Sequence, residues 1–148
     1  MATVEEPTFE TTHLVRDTCL CLHVQRAARA LARRFDEALR PVGITNGQFS
    51  LLMSLNRPKP AGMTSVASLL AMDRTTLTAA LKPLRRRGLV RITADPADRR
   101  SRLMSLTAKG RKTLRRAVPT WKKTHAALDA LLCDGDADRL RSNLSALS

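Results

Sequence analysis

The 148-residue sequence contains no tyrosine, three phenylalanines and one tryptophan. No phenolic hydroxyl is therefore on hand to stabilise a reactive side chain. No apolar run approaches the ~20 residues needed to span a bilayer, which excludes a membrane helix and gives no reason to expect a membrane partner. The cysteines, Cys19, Cys21 and Cys133, are few and odd in number, which argues against a structural disulfide framework. Glycine-rich phosphate loops, nucleophile elbows and metal-spaced His/Cys clusters are missing. His13, His23 and His125 stand on separate helical stretches without partner spacing. The expectation is a protein that is not an enzyme and carries no cofactor or metal. The first residues, MATVEEPTFETTHLVRD, are polar and acidic; they resemble neither a signal nor a transit peptide, so the cytoplasm is the expected location.

What the chain has in excess is positive charge, and it is concentrated. The formal net charge is +13, and the stretch from Arg74 to Lys123 holds 16 Lys/Arg against 2 Asp/Glu. The rest of the chain is nearly neutral. A polyphosphate backbone rewards such a block through counterion release, although a solvated basic face has the same composition.

Apolar residues make up 43% of the chain, enough for one domain of ordinary size with a real core. Residues up to about Glu10 read as a loose arm. From Thr12 to Leu39, apolar residues from Leu14 to Phe35 recur at helical spacing, which predicts one long helix stopped by Pro41 and Gly43. Thr45 caps a second helix to about Asn56, and Arg57–Gly62 is a loop. Thr64 or Ser65 caps a short third helix. After the turn Ala71-Met72-Asp73, Asp73 caps a fourth helix from Arg74 to about Arg87, ended by Gly88. Leu89–Thr93 and Ser101–Leu106 have β character and flank a turn-rich basic segment, so they predict a two-stranded hairpin with a charged tip. Thr107 caps a long fifth helix in which Pro119 predicts a kink or break. A final helix carries Leu140, Leu144 and Leu147.

Helix, tight turn, helix and hairpin in that order describe a winged helix-turn-helix, whose second helix enters the DNA major groove. Leu77, Leu81 and Leu84 form one inward face of the fourth helix. Arg74, Thr75, Thr76 and Thr78 crowd the opposite N-terminal surface, followed by Lys82. Threonine is a mediocre helix former. Capping explains one of the three; short hydroxyls that approach phosphates or base edges explain the cluster. Ser65 on the third helix joins the expected DNA surface. At the basic hairpin tip, the negative potential of a narrow groove attracts inserted arginine, and Asp98 can orient a neighbouring guanidinium; Arg102, on the strand that follows, joins the expected DNA surface. A non-specific nucleoid-type protein would need the charge but not this reading helix.

The stretch Asp95-Pro96-Ala97-Asp98-Arg99-Arg100-Ser101-Arg102-Leu103-Met104-Ser105-Leu106-Thr107-Ala108-Lys109-Gly110 resembles the wing signature of the MarR family, DPxDRRxxxLxLTxxG, at every fixed position. Met72–Thr78 and Leu84–Val90 resemble that family's reading helix and its exit. The resemblance implies a mostly α (α+β) fold over residues 1–148. Residues 45–107 would form the winged helix-turn-helix lobe, and 12–40 and 108–148 the dimerisation helices. It implies a homodimer on a pseudo-palindromic duplex, with Arg100 in the minor groove, Asp98 orienting it and Arg99 on phosphate. It also implies a repressor, released by a small-molecule effector or an oxidant.

Two signals are weighed from the residues. Leu20-Cys21-Leu22 is similar to the OhrR branch of the family, where a cysteine at this point reacts with organic peroxides and a second one, here Cys133, resolves it. A reactive thiol needs a stabilised thiolate, and the positions of that branch's supporting tyrosines hold Gln25, Phe35 and Asn46. Cys19 and Cys21 point about 200° apart on a helix, which disfavours joint metal binding. The other signal is a non-covalent ligand in a cleft lined by His23, Phe35, Phe49, Met53 and Trp121, residues whose ordinary reading is plain core.

Overall fold

The computed structural model describes residues 6–148. They form α1 (Phe9–Thr18), α2 (Leu20–Leu39), a short 3₁₀ turn (Arg40–Val42), α3 (Asn46–Ser54), β1 (Ala61–Gly62), α4 (Met63–Leu69), α5 (Arg74–Arg86), β2 (Val90–Ala94), β3 (Arg102–Leu106), α6 (Ala108–Asp129) and α7 (Asp136–Ala146). The chain divides into two compact units, the first ending at Arg34 and the second running Phe35–Ser148. No helix among the described residues is long and apolar enough to cross a membrane.

In the first unit the single long helix expected from Thr12 is two helices. The loose arm expected up to about Glu10 lies partly outside the described residues, and from Phe9 the chain is helical, with Thr8 as N-cap. Cys19 breaks the run by taking an extended conformation (φ −71°, ψ 107°). Its N–H still donates to Val15 O at 3.0 Å, while its carbonyl accepts from His23 N at 3.1 Å and its Sγ from Leu22 N at 3.4 Å. One residue thus closes α1 and caps α2, so apolar spacing is scarcely disturbed and the sequence pattern does not register the break. Phe9, Leu14, Val15, Leu20, Val24 and Leu31 are exposed.

The second unit holds the core. Leu39, Leu51, Leu52, Val66, Leu77, Leu84, Leu89 and Met104 are fully buried. Thr45 and Gln48 form a reciprocal capping box at the start of α3. The expected two-stranded hairpin is a three-stranded antiparallel sheet in the order β1-β3-β2, with Ala61 opposite Met104 and Val90 opposite Leu106. A two-residue strand is too short to show alternation, so β1 leaves no sequence pattern. Neither Thr64 nor Ser65 caps α4; the N-cap is Gly62, without a side-chain bond. Of the kink or break expected at Pro119, the break is absent, since α6 runs through it. Leu114, Ala117, Val118 and Trp121 pack on the core around that proline and anchor both halves of the helix. Pro83 is likewise tolerated inside α5: Ala79, whose carbonyl loses its intrahelical donor there, is exposed and open to water. In α7 no residue is buried, and Leu140, Leu144 and Leu147 face outward.

Candidate nucleic-acid interface

The turn between α4 and α5 is set by Ala71, which takes a left-handed conformation (φ 50°). Met72 N then donates to Ala67 O at 2.9 Å, closing α4 and releasing the chain toward α5. Asp73 caps α5: one carboxylate oxygen accepts from Thr76 N and the other from Thr76 Oγ1, both at 2.7 Å. Leu77, Leu81 and Leu84 are buried, which fixes the roll of the helix and leaves Arg74, Thr75, Thr76, Thr78 and Lys82 exposed.

The three threonines are not equivalent. Thr76 is bound to the cap, and Thr78 Oγ1 donates back to Arg74 O at 2.7 Å. Thr75 makes no side-chain hydrogen bond among the described residues, so its hydroxyl and methyl are the free ones. Arg74, Thr78, Lys82 and Arg102 come together with Arg85 around a groove of about 330 Å³ floored by Met63, Leu81 and Ile92. Arg85 belongs to this set by geometry, and its place on the outward face of α5 was the signal for it. Ser65 is exposed on α4, and its Oγ accepts from Arg57 Nη1 at 3.3 Å.

At the wing tip, Asp98 acts on the backbone. Its carboxylate accepts from Arg100 N at 3.0 Å and Ser101 Oγ at 2.8 Å, and its carbonyl from Ser101 N at 2.9 Å. The guanidinium of Arg100 is not its partner here; Asp98 shapes the turn that carries Arg100, and the expected side-chain pair is replaced by this local bonding. Arg99 and Arg100 both project exposed from the tip.

Two carboxylates of this surface respond to pH. The hydrogen bonds from Thr76 hold Asp73 below the usual carboxylate range, and those from Arg100 N–H and Ser101 do the same for Asp98. A carboxyl with a depressed folded pKa adds stability above its unfolded value, about 4, and loses it as pH falls through the folded one. Thermal melting from pH 5 to 3 should show a smaller acid loss in the Asp73→Asn/Asp98→Asn double variant than in the wild type. Parallel acid profiles would remove these caps from the account.

Phe49, Met53 and Trp121 line a cavity of about 540 Å³ with Leu69, Leu70 and Val118. The rings of Phe49 and Trp121 stack at 5.9 Å and 18°, and His125 lies 4.8 Å from Trp121. Leu69, Leu70 and Val118 were not among the expected lining residues. Of the other two candidates, Phe35 is buried in the core with its ring 6.3 Å from His125, and His23 belongs to the first unit; neither lines this cavity. Cys21 is exposed, and its Sγ accepts from Gln25 Nε2 at 3.1 Å. Cys133 is exposed beyond α6, and Cys19 is half-buried.

A buried-backed helix with a free cationic N-terminal surface, preceded by a short helix and a tight turn and followed by an arginine-tipped hairpin, defines a winged helix-turn-helix DNA-binding unit. The MarR family model matches residues 44–101. The Mycobacterium tuberculosis transcriptional regulator MosR, solved in complex with DNA, is 41% identical, with 87% of this chain and 92% of that one covered and a TM-score of 0.80. The transcriptional repressor CouR, solved on a 23-mer DNA duplex, is 32% identical over 97% of this chain and 99% of that one, also with a TM-score of 0.80. The transcriptional activatory protein BadR of Rhodopseudomonas palustris is 34% identical over 95 residues, 62% of this chain and 54% of BadR. The chain spans about half the length of the curated relatives it matches. It belongs to the MarR family.

Proposed function

We propose that the protein is a cytoplasmic, sequence-specific DNA-binding transcription regulator with no catalytic step of its own. It acts as a homodimer on a pseudo-palindromic duplex and represses by occlusion until a small ligand fills the cavity beside Trp121. The observation that carries this is the joint presentation of Arg74, Thr75, Thr78, Lys82 and Arg102 around the buried back of α5. Arg74 and Thr75 address base edges, Lys82, Arg99 and Arg102 address phosphates, and Arg100 enters the minor groove. Ser65 and Thr76 support the approach from α4 and the cap.

The dimer is supported by apolar surface that one chain leaves in water. Phe9, Leu14, Val15 and Leu20 are exposed, as are Leu131, Leu140, Leu144 and Leu147. Residues 12–40 and 108–148 are the segments assigned to dimerisation, and 45–107 to the DNA lobe. Repression is favoured over activation because the repressor CouR is matched over nearly its whole length, whereas BadR is matched over about half. An apolar cavity with stacked aromatic walls suits a flat, largely apolar effector.

The test is binding to a duplex from the protein's own promoter and to a scrambled duplex across a salt series. The promoter should be favoured by at least about a thousandfold near physiological salt. Both affinities should fall as salt rises, by counterion release. Equal affinities at every salt concentration would leave a nucleoid-type protein and end the regulator proposal.

A further inference from the structure

A second basic cluster lies on the far face of the wing sheet and meets the DNA-reading surface only where Arg57 bonds Ser65. Arg57, Lys59, Arg91 and Arg111 line one cavity of about 300 Å³, together with Asn56 and Ser105. Its lining contains no carboxylate. Strand alternation fixes which way it faces. Ile92 lines the groove with Leu81 of α5, whereas Arg91, the preceding residue, points to the opposite face of the sheet. Ser105 stands opposite Arg91 in the β2–β3 register and shares that face.

The cluster is preorganised. Arg57 Nε donates to Ser54 O at 3.0 Å and its Nη1 to Ser65 Oγ at 3.3 Å, and Arg111 Nη1 donates to Leu106 O at 3.1 Å. Each guanidinium is thereby held in place with most of its N–H groups still free. Lys59 sits between Pro58 and Pro60, whose rings fix the backbone on both sides of it. Lys59 and Arg91 make no side-chain hydrogen bond or ion pair among the described residues. Four cations from a loop, a strand and a helix, with no carboxylate among them, make the cavity a positive site that favours an anion.

We propose that this cavity on the far face of the wing sheet binds a soluble diphosphate-bearing anion. Guanidinium forks match phosphate oxygens two at a time, an ammonium adds a point charge, and Ser105 and Asn56 can donate to remaining oxygens. A monophosphate carries too little charge to balance four cations, whereas a diphosphate meets them at two centres. The face opposes the one α5 presents, which favours a free ligand over duplex phosphates as the occupant.

The test is calorimetric titration of the full-length protein with inorganic pyrophosphate, using orthophosphate and sulfate at equal ionic strength as comparisons. Pyrophosphate should bind more tightly than either, and Lys59→Ala/Arg91→Ala should weaken it by at least about tenfold. Neither side chain holds the fold together through a hydrogen bond, and an unchanged melting temperature checks this. Binding of a random-sequence 40-base-pair duplex is measured on the same variant. An unchanged salt slope supports a free ligand. A slope reduced by about two would assign both cations to DNA phosphates and overturn the proposal. So would pyrophosphate binding that is no tighter than sulfate binding, or that is equal in the wild type and the double variant.

Discussion

Gly110→Val should lower stability by about 3 kcal/mol, and the melting temperature at fixed protein concentration by more than about 8 °C. Gly110 is buried in the first turn of α6, and its N–H donates to the cap Thr107 Oγ1 at 3.0 Å. A Cβ there would overlap the carbonyl oxygen of Leu89 and press on Leu106 Cδ2. The Leu89 backbone cannot retreat. Its carbonyl accepts from Thr107 N at 3.1 Å, its N–H donates to Leu84 O at 2.9 Å, the adjoining Gly88 O accepts from Thr107 Oγ1 at 2.6 Å, and the Leu89 side chain is fully buried. Lys109 Nζ, on the same turn, donates to Arg87 O at 2.8 Å. Gly110 is therefore where α6 closes onto the exit of α5, one residue before the wing begins at Val90. Ala should cost less than Val, because part of its clash is offset by the better helix propensity of alanine. A Val variant that melts with the wild type would show that this junction can move. Loss of DNA binding in a folded Ala variant would show that the junction sets the angle between reading helix and wing.

The second unit was legible in the sequence wherever the chemistry was local and repeated. The buried spacing Leu77-Leu81-Leu84, the caps Thr45, Asp73 and Thr107, the stop at Pro41 and Gly43, and the left-handed Gly88 all stand in the structure at the expected positions. Features that depend on single residues in tertiary context were not legible. Cys19 ends one helix and starts the next without disturbing apolar spacing. Gly62 caps α4 in place of a hydroxyl because the chain enters directly from β1 in an extended conformation (φ −78°, ψ 156°). Pro119 forbids one hydrogen bond but not a helix that packing holds on both sides. The candidate site divides in the same way. The exposed cations of α5 and the wing followed from helical and hairpin periodicity. The division of labour among Thr75, Thr76 and Thr78 did not, since it depends on which hydroxyl finds a partner. The cavity beside Trp121 was half legible: aromatic side chains drew attention to Phe49 and Trp121, whereas Leu69, Leu70 and Val118 carry no mark that separates a lining residue from core.

Arg100→Ala should weaken binding to the promoter duplex by about 1–3 kcal/mol, which is a loss of roughly 5- to 150-fold. The side chain makes no hydrogen bond or ion pair among the described residues, and its backbone N–H is fixed by Asp98. Truncation therefore removes an available guanidinium without loosening the tip, and the melting temperature should stay within about 2 °C of the wild type. Comparison with Arg99→Ala distinguishes position from charge, because both residues are exposed neighbours on one turn. Removing a phosphate-facing guanidinium at Arg99 should weaken all duplexes alike and reduce the salt slope by about one. Removing a minor-groove guanidinium at Arg100 should weaken the promoter more than a duplex whose flanks are changed from A·T to G·C, since narrow A·T tracts concentrate the negative potential. Arg100→Lys should restore the salt slope but only part of the preference, because an ammonium is larger when hydrated and more costly to strip of water. Asp98→Ala should then reproduce the Arg100 defect in weaker form, by releasing the turn that aims it. If Arg99→Ala and Arg100→Ala prove interchangeable on every duplex, the wing supplies charge alone and specificity rests on Arg74 and Thr75.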